Sequence, residues 1–431
     1  MKEETIIIIG AGAAGLLAAK ELSSSGFKVI ILEAAGYVGG RIKTTTDVSF
    51  EHLLEEGAEF VHGKLPLTLQ LLKEAKISFH RTKGKMLRNT NGRWHEQHEI
   101  IEGSDRLMAK MHEYKHDVTL STFLEENFRD AKYEPLRRSV QKFAEGFDLA
   151  DIQQVSMFAL RDEWEKEEGD QYRIENGYAQ LTDFLAKQCI ANGATIHISS
   201  VANKISWKKD EVLITTTTGE YFTASKVIVT VSLGVLSATG EKHNVLAFMP
   251  AIDNYLKAAQ EIGFGSVTKI FLRFSEPFWN KDTGFILSEE AVPTWWTQLP
   301  RTDALLTGWL PSTSAVALNK LTEPELIELS MQSLANIFSL EVSFLKQRLI
   351  SHKVSRWQTF PFTKGAYSYA KVQSIQARQL LNTPLENTVF FAGEGVYDGE
   401  YPGTVEAALV SGQNVADKIR ALKLSALGFQ L

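Results

Sequence analysis

Cysteine is nearly absent: Cys189 is the single one in 431 residues, so no internal disulfide can form and a cysteine-built metal site lacks its ligands. No metal centre is expected. Runs of Lys or Arg are missing too. With 46 basic against 52 acidic residues the formal charge is -6, which leaves no electrostatic footprint for nucleic acid. No stretch approaches the roughly 20 apolar residues of a membrane-spanning helix, and the closing LSALGFQL is too short for one. The apolar TIIIIGAGAAGLLAA follows Glu3 and Glu4 and is broken by glycines, so it reads as strand, turn and helix and not as a secretion signal. Repeats of solenoid length and low-complexity linkers are likewise lacking. These absences point to a soluble, cytoplasmic protein of a reducing compartment with no membrane or nucleic-acid partner, and they leave the oligomeric state unknown.

A hydrophobic content of 44% can bury a large core, enough for two or three domains or two interleaved ones. Thr5 to Ile9 is a continuous β-branched run suited to a parallel sheet; a helix follows over about 13–25, Gly26 stops it, and 29–32 supplies a second strand. Gly10, Gly12 and Gly15 form GxGxxG between that strand and helix, and Ala14 belongs to the helix's small near face. Backbone N–H groups and the helix start can therefore meet a pyrophosphate. Glu33, at the end of the second strand, suits both hydroxyls of an adenosine ribose and repels a 2'-phosphate, which favours FAD or NAD over NADP. Next come Gly39, Gly40 and Arg41. The glycines let the backbone pass close to phosphates, and the forked guanidinium neutralises them.

Farther along, residues of about 100–170 have a helical texture, with DIQQ at 151–154 resembling a capping box. A helix over 177–191 holds Cys189 as core filling, and the strand-like TIHISS, VANKISWK, EVLITTTT and KVIVTVS follow it. A strand-rich stretch then runs to about 310, a helix covers 322–339, and the strand TVFFAG precedes a helix over about 404–421. Within FGSVTKIFLRF, Lys269 shares a face with Val267, Phe271 and Arg273. Taken alone this is the wet face of a half-buried strand, because lysine is rarely buried.

The motifs GAGAAG, LEA, GGR, GAEFVHG, VIVTVSLGVL, GFGSVTKIFLRFSEPFW, FFAGE and YPGTVEAALVSG run in order along essentially the whole chain. Together they resemble the flavin-containing amine oxidases, a family that includes monoamine, polyamine and spermine oxidases and the oxidase domain of lysine-specific histone demethylases. The pattern is closest to the polyamine and spermine oxidases. The resemblance implies an α/β fold: a discontinuous Rossmann-like FAD-binding domain (1–80, 176–258, 372–431) interleaved with an α+β substrate domain of mixed sheet plus helices (81–175, 259–371). It also implies roles. Glu33 would hold the ribose and Arg41 the phosphates; Gly57, Ala58, Glu59 and Phe60 would line the flavin ring and ribityl chain; Val201 would meet the adenine. Trp357 would pack by the flavin, Glu394 would lie beside the ribityl and phosphate region, and Thr404 and Val405 would offer backbone N–H groups to the pyrimidine carbonyl.

In such a fold Lys269 would face the flavin, holding a water against N5, and burial there would favour a neutral amine able to act as base or hydrogen-bond partner. Tyr367 matches the first aromatic of the amine cage, Thr404 stands at the second, and His62 would lie near the amine. Ala366 occupies the place where monoamine oxidases carry the cysteine that attaches their flavin, so FAD should be non-covalent. The implied reaction passes a hydride from the amine α-carbon to flavin N5, leaves an imine for water to hydrolyse, and returns the electrons to O2 as H2O2. The substrate implied is a polyamine or another primary or secondary amine. The acidic EWEKEEGD at 163–170 would attract polyamines, or is a solvated helix end. No inserted tower is present, which points away from histone tails. Desaturases and protoporphyrinogen-type oxidases share the front motifs without predicting Lys269 and Tyr367 together. Rab GDP-dissociation inhibitors resemble the fold as binding proteins without flavin chemistry, and the intact glycines with Glu33 and Arg41 argue against that reading.

Overall fold

The structure, a computed structural model, describes residues 4–90, 92–97, 101, 103–166, 170–238 and 245–426. The β-branched run Thr5–Ile9 becomes the middle strand of a five-stranded parallel sheet. Its neighbours are Lys28–Leu32 and then Thr195–His197 on one side, and Lys226–Val229 and then Val389–Phe391 on the other. The period of two sends alternate isoleucines to opposite faces. Ile6 and Ile8 pack into the helices Ala13–Ser24, Ala179–Ala191 and Val405–Ala426, whereas Ile7 and Ile9 pack towards the four-stranded sheet formed by Tyr221–Ala224, Glu211–Thr216, Ala202–Lys208 and Ala247–Met249. Both faces are thus covered, as a run with no polar alternation requires. Gly412 lets the last helix cross the first closely, since a Cβ there would sit 2.2 Å from the Ala14 carbonyl oxygen.

Lys269 lies on Val267–Phe274, an inner strand of a seven-stranded mixed sheet, between Leu349–Arg356 and Leu305–Pro311; the other strands are Thr294–Trp296, Thr283–Leu287, Lys85–Thr90 and Arg93–Glu96. The helices Ser104–Glu113, Leu120–Asn127, Glu134–Gly146 and Met157–Trp164 share an apolar core of their own, including Leu107, Phe123, Val140 and Met157.

The DIQQ expectation needs correction. Asp151 does accept the Gln153 N–H at 2.9 Å, but it closes a turn; the helix begins at Met157, and its N-cap is Ser156, whose Oγ accepts the Ala159 N–H at 2.9 Å. The buried Ser156 is fixed by Asp117 at 2.6 Å, a partner too distant in sequence for a local pattern to show.

Candidate active site

A cavity of about 1380 Å³ runs from the carboxyl end of the parallel sheet to the seven-stranded sheet. That exceeds the few hundred to ~1,000 Å³ of a typical small-molecule pocket. Gly10, Gly12, Ala14, Glu33, Gly40, Arg41 and Val201 line it, as do Gly57, Ala58, Glu59, Phe60, Trp357, Glu394, Thr404 and Val405, and so do His62, Lys269 and Tyr367. Gly15 does not line it. Its Cβ would lie 2.1 Å from the Gly10 carbonyl oxygen, so it lets the helix press against the turn, while its neighbours Gly10, Gly12, Ala13 and Ala14 line the cavity.

Several predicted cofactor contacts are already engaged within the protein. Glu33 accepts the N–H groups of Ala11 at 2.6 Å and Ala35 at 2.7 Å, which braces the glycine turn against the second strand. Burial pushes its carboxyl above the ordinary value, opposed by those same bonds. Each carboxylate oxygen keeps a second lone-pair direction. One Arg41 nitrogen donates to the Ala366 carbonyl and to Glu394 Oε1, both at 2.6 Å, while Glu394 Oε2 accepts the Ser368 N–H and hydroxyl at 3.1 and 2.6 Å. The two residues predicted separately for the phosphate and ribityl region therefore form an ion pair. Thr404 caps the last helix, accepting the Ala407 N–H at 3.2 Å and donating to the Tyr401 carbonyl at 2.7 Å.

The segment Glu55–Glu59 is stitched in place by cations. Glu56 takes Lys43 at 2.9 Å and Lys353 at 2.7 Å; burial opposes its charge, but these lysines and the Thr45 and Ser355 hydroxyls bring it down to about 2. Trp357, only 2% exposed, donates its indole N–H to the Glu56 carbonyl at 2.7 Å. A Cβ on Gly57 would fall 1.9 Å from the Arg41 carbonyl oxygen, so no larger residue fits this chain crossing.

Lys269 is not on a wet face: it is 2% exposed, and both faces of its strand are covered. Nor is its nitrogen bare. It donates to the carbonyls of Glu55 at 2.8 Å and Gly57 at 2.9 Å and to Glu59 Oε2 at 2.8 Å, with the Trp296 ring centroid at 5.4 Å. The nitrogen is thus engaged by three protein acceptors, one of them a carboxylate. Glu59 is itself buried and also binds Arg173 at 2.7 Å and the Trp296 indole N–H at 2.9 Å. Burial opposes its charge, but the neighbouring Lys269 and Arg173 hold it below the usual carboxylate range. Arg173 reaches it because Gln171–Ile174 pairs with Phe60–His62, in a register that sets Arg173 opposite Phe60. Sequence reading missed Arg173 and Trp296. Neither belongs to a motif, and each joins the site across strand pairings.

Around the wall lie aromatic rings. Phe60 and Trp296 stand 5.8 Å apart, His62 meets Phe147 edge-on at 5.6 Å, and the Tyr367 hydroxyl donates to the Phe147 carbonyl. Burial, then the charges of Asp148, Glu163 and Glu394, push the Tyr367 phenol well above its ordinary value, so it stays a neutral donor.

Two groups here titrate abnormally in opposite senses. Burial pushes His62 from 6.5 down to about 4. Burial pushes Glu55 from 4.5 up to about 7, against hydrogen bonds from the Tyr178 N–H and the Thr44 hydroxyl. The unfolded chain protonates His62 first, so that stability falls as pH drops from 6.5 towards 4; the folded chain keeps the Glu55 proton longer, so that stability is lost as pH rises from 4.5 to 7. Relative to wild type between pH 5 and 6.5, unfolding midpoints of His62→Gln should tilt towards loss with rising pH and those of Glu55→Gln towards gain. Parallel profiles would refute the assignment.

The sequence holds one HExxH spacing, HEYKH at 112–116, which would mark a metal site on a continuous helix. Here the helix Ser104–Glu113 ends inside the motif, with Tyr114 extended at φ -74, ψ 139, so the two histidines do not share a helical face. His112 pairs with Glu165, and no group of three or more potential ligands gathers among the described residues.

The family model for flavin containing amine oxidoreductases matches residues 13–420. The chain belongs to that family. It is 26% identical to Lysine-specific histone demethylase 2 of Homo sapiens over 97% of this chain and 53% of that protein, and 26% identical to Polyamine oxidase 4 of Oryza sativa subsp. japonica over 96% and 88%. The chain thus spans about half the length of the demethylase but most of the plant oxidase. Among solved structures, putrescine oxidase bound to putrescine superimposes with a TM-score of 0.80 at 20% identity, covering 97% of this chain and 99% of that one. Cyclohexylamine oxidase from Brevibacterium oxydans gives 0.80 at 18% identity over 98% and 100%. The α/β architecture is that of the family's oxidases. Family membership implies a flavin, and the cavity fits one: its glycine-turn end is open, since a Cβ on Gly12 would meet nothing closer than the Gly39 carbonyl oxygen at 4.0 Å.

Proposed function

We propose that this protein is an FAD-dependent amine oxidase acting on a small polyamine or diamine, with FAD carried along the parallel sheet and the amine beside the seven-stranded sheet. One observation carries the reading: the glycine turn with Glu33 and the pair Lys269 and Tyr367 line a single continuous cavity. Glu33 and Arg41 would hold a bound flavin nucleotide, which would supply the acceptor for the hydride leaving the amine α-carbon, with O2 as the final oxidant giving H2O2. The protein's residues supply position and a dry wall. Tyr367, fixed through its hydroxyl to Phe147, presents an aromatic face to an amine. His62, neutral at physiological pH, can accept a hydrogen bond from a substrate ammonium but is too weakly basic to remove its proton in quantity. The amine must therefore enter as the minor, neutral form. Water then hydrolyses the imine to an aldehyde and a smaller amine or ammonia.

Charge supports the polycationic class. Acids outnumber bases among the lining side chains: Glu145, Asp148, Glu163, Glu289, Glu290 and Glu400 stand against Lys64, Arg88, Lys142 and Lys166, of which Lys142 pairs with Glu289 and Lys166 with Glu400. Of the acidic run at 163–170, Glu163, Glu165 and Asp170 line the cavity; Glu167, Glu168 and Gly169 lie outside the described residues. A peroxide assay should answer to putrescine, spermidine, spermine or their acetylated forms and not to aromatic monoamines. A yellow protein that ignores every amine would return the desaturase class, and a colourless one that takes up no FAD the binding-protein class.

The lack of a cysteine at the cavity wall supports non-covalent attachment. Ala366 offers no sulfur, and Cys189 is buried among the helices of the parallel sheet, its Sγ 3.3 Å from the Leu16 carbonyl oxygen and away from the cavity wall. Acid precipitation is expected to release all flavin absorbance into the supernatant, and yellow colour retained in the pellet would refute it.

A further inference from the structure

Three acceptors close around the Lys269 nitrogen: the carbonyl oxygens of Glu55 and Gly57 and the Glu59 carboxylate, at 2.8, 2.9 and 2.8 Å. An ammonium has three hydrogens and satisfies all of them, whereas a neutral amine would turn its lone pair onto an oxygen. The other Glu59 oxygen is held by Arg173 and Trp296, and Arg173 is in turn anchored to Gln298 Oε1 at 3.0 Å and the Thr297 carbonyl at 2.9 Å. The network is therefore fixed on two separate sheets. The titratable groups facing Lys269 are Glu59 and the raised Glu55, with Arg173 and then Arg301 behind them.

We propose that Glu59 is a positioning residue that locks the Lys269 ammonium in the cavity wall, so that Lys269 serves as a fixed positive charge and not as a proton acceptor. A cation fixed in a dry wall favours electron uptake by a group placed against it and needs no rearrangement during the reaction. The lock is a property of the apoprotein; only its catalytic consequence rests on the amine-oxidase reading.

The two parts are tested separately. Thermal unfolding of the apoprotein is measured for wild type, Glu59→Gln, Lys269→Met and the double variant. Non-additivity of at least about 2 °C in Tm, with the double variant more stable than the summed losses, is expected of a directly coupled pair. Additive shifts would overturn the lock whatever the substrate. Should Glu59→Gln fail to fold, Glu59→Asp replaces it in the cycle. The pH profile of anaerobic flavin reduction by the best amine is then compared between wild type and Lys269→Met. The rate should fall while the ionisations persist, any step near 7 being removed by Glu55→Gln instead. In Glu59→Gln a new ionisation should emerge that Lys269→Met abolishes. An ionisation of the wild type that vanishes in Lys269→Met would overturn the fixed charge. If no amine reduces the flavin, the functional reading fails, and the unfolding cycle still decides the lock.

Discussion

Lys269→Met is expected to keep stoichiometric FAD while slowing flavin reduction by the amine about 10²-fold, the scale on which loss of a positioned group at a reacting centre is felt. The side chain stands in the cavity wall and binds the carbonyls of Glu55 and Gly57, so its removal deletes a charge and loosens the segment that carries Gly57 to Phe60. Methionine fills nearly the same volume in apolar form, which limits the packing loss. Glu59 retains Arg173 and Trp296 as partners, so the cost to stability should lie at the low end of that for breaking a buried ion pair, about 3 kcal/mol. Stopped-flow reduction under anaerobic conditions measures the rate, and the absorbance of the purified protein measures the FAD. A variant that is reduced as fast as wild type would make Lys269 a purely structural cross-link.

The second large effect separates two glycines of one motif. In Gly15→Ala the new methyl would sit 2.1 Å from the Gly10 carbonyl oxygen and 3.0 Å from the Thr230 hydroxyl. The first of these is backbone and cannot rotate aside, so the helix Ala13–Ser24 must move off the turn. We expect an apoprotein destabilised by about 2–3 kcal/mol, as for an overpacked core, together with FAD affinity lower by at least about 10²-fold. Gly12→Ala meets no atom closer than 4.0 Å, and its backbone has an ordinary negative φ. Its methyl projects into the open cavity, where under the proposed function a bound phosphate would contest it. The apoprotein should lose no more than about 1 kcal/mol, the cost of alanine at a helix N-cap, while losing FAD affinity to a similar extent. Chemical denaturation without flavin and an absorbance titration with FAD distinguish the two. Equal stability loss in both variants would mean that the turn, and not the ligand, requires the second glycine.

The sequence by itself determined the elements whose cause is local. The β-branched TIIII became a buried parallel strand, the alanine-rich segment after the glycine turn became a helix, and Gly10, Gly12 and Glu33 came to one cavity because strand–turn–helix–strand order sets them at the carboxyl ends of adjacent parallel strands. Residue spacing is enough for such features, since a turn or a helix start is built within a few residues. What spacing could not give was every decision made by a partner distant in the chain. Whether Lys269 was wet or buried depended on the strands Leu305–Pro311 and Leu349–Arg356 and on Glu59; Arg41 met Glu394 across 353 residues; and Arg173 entered the site through a pairing with Phe60–His62. The charge state and the role of a buried ionisable group are set by the dielectric and the acceptors around it, and only the tertiary structure assembles those.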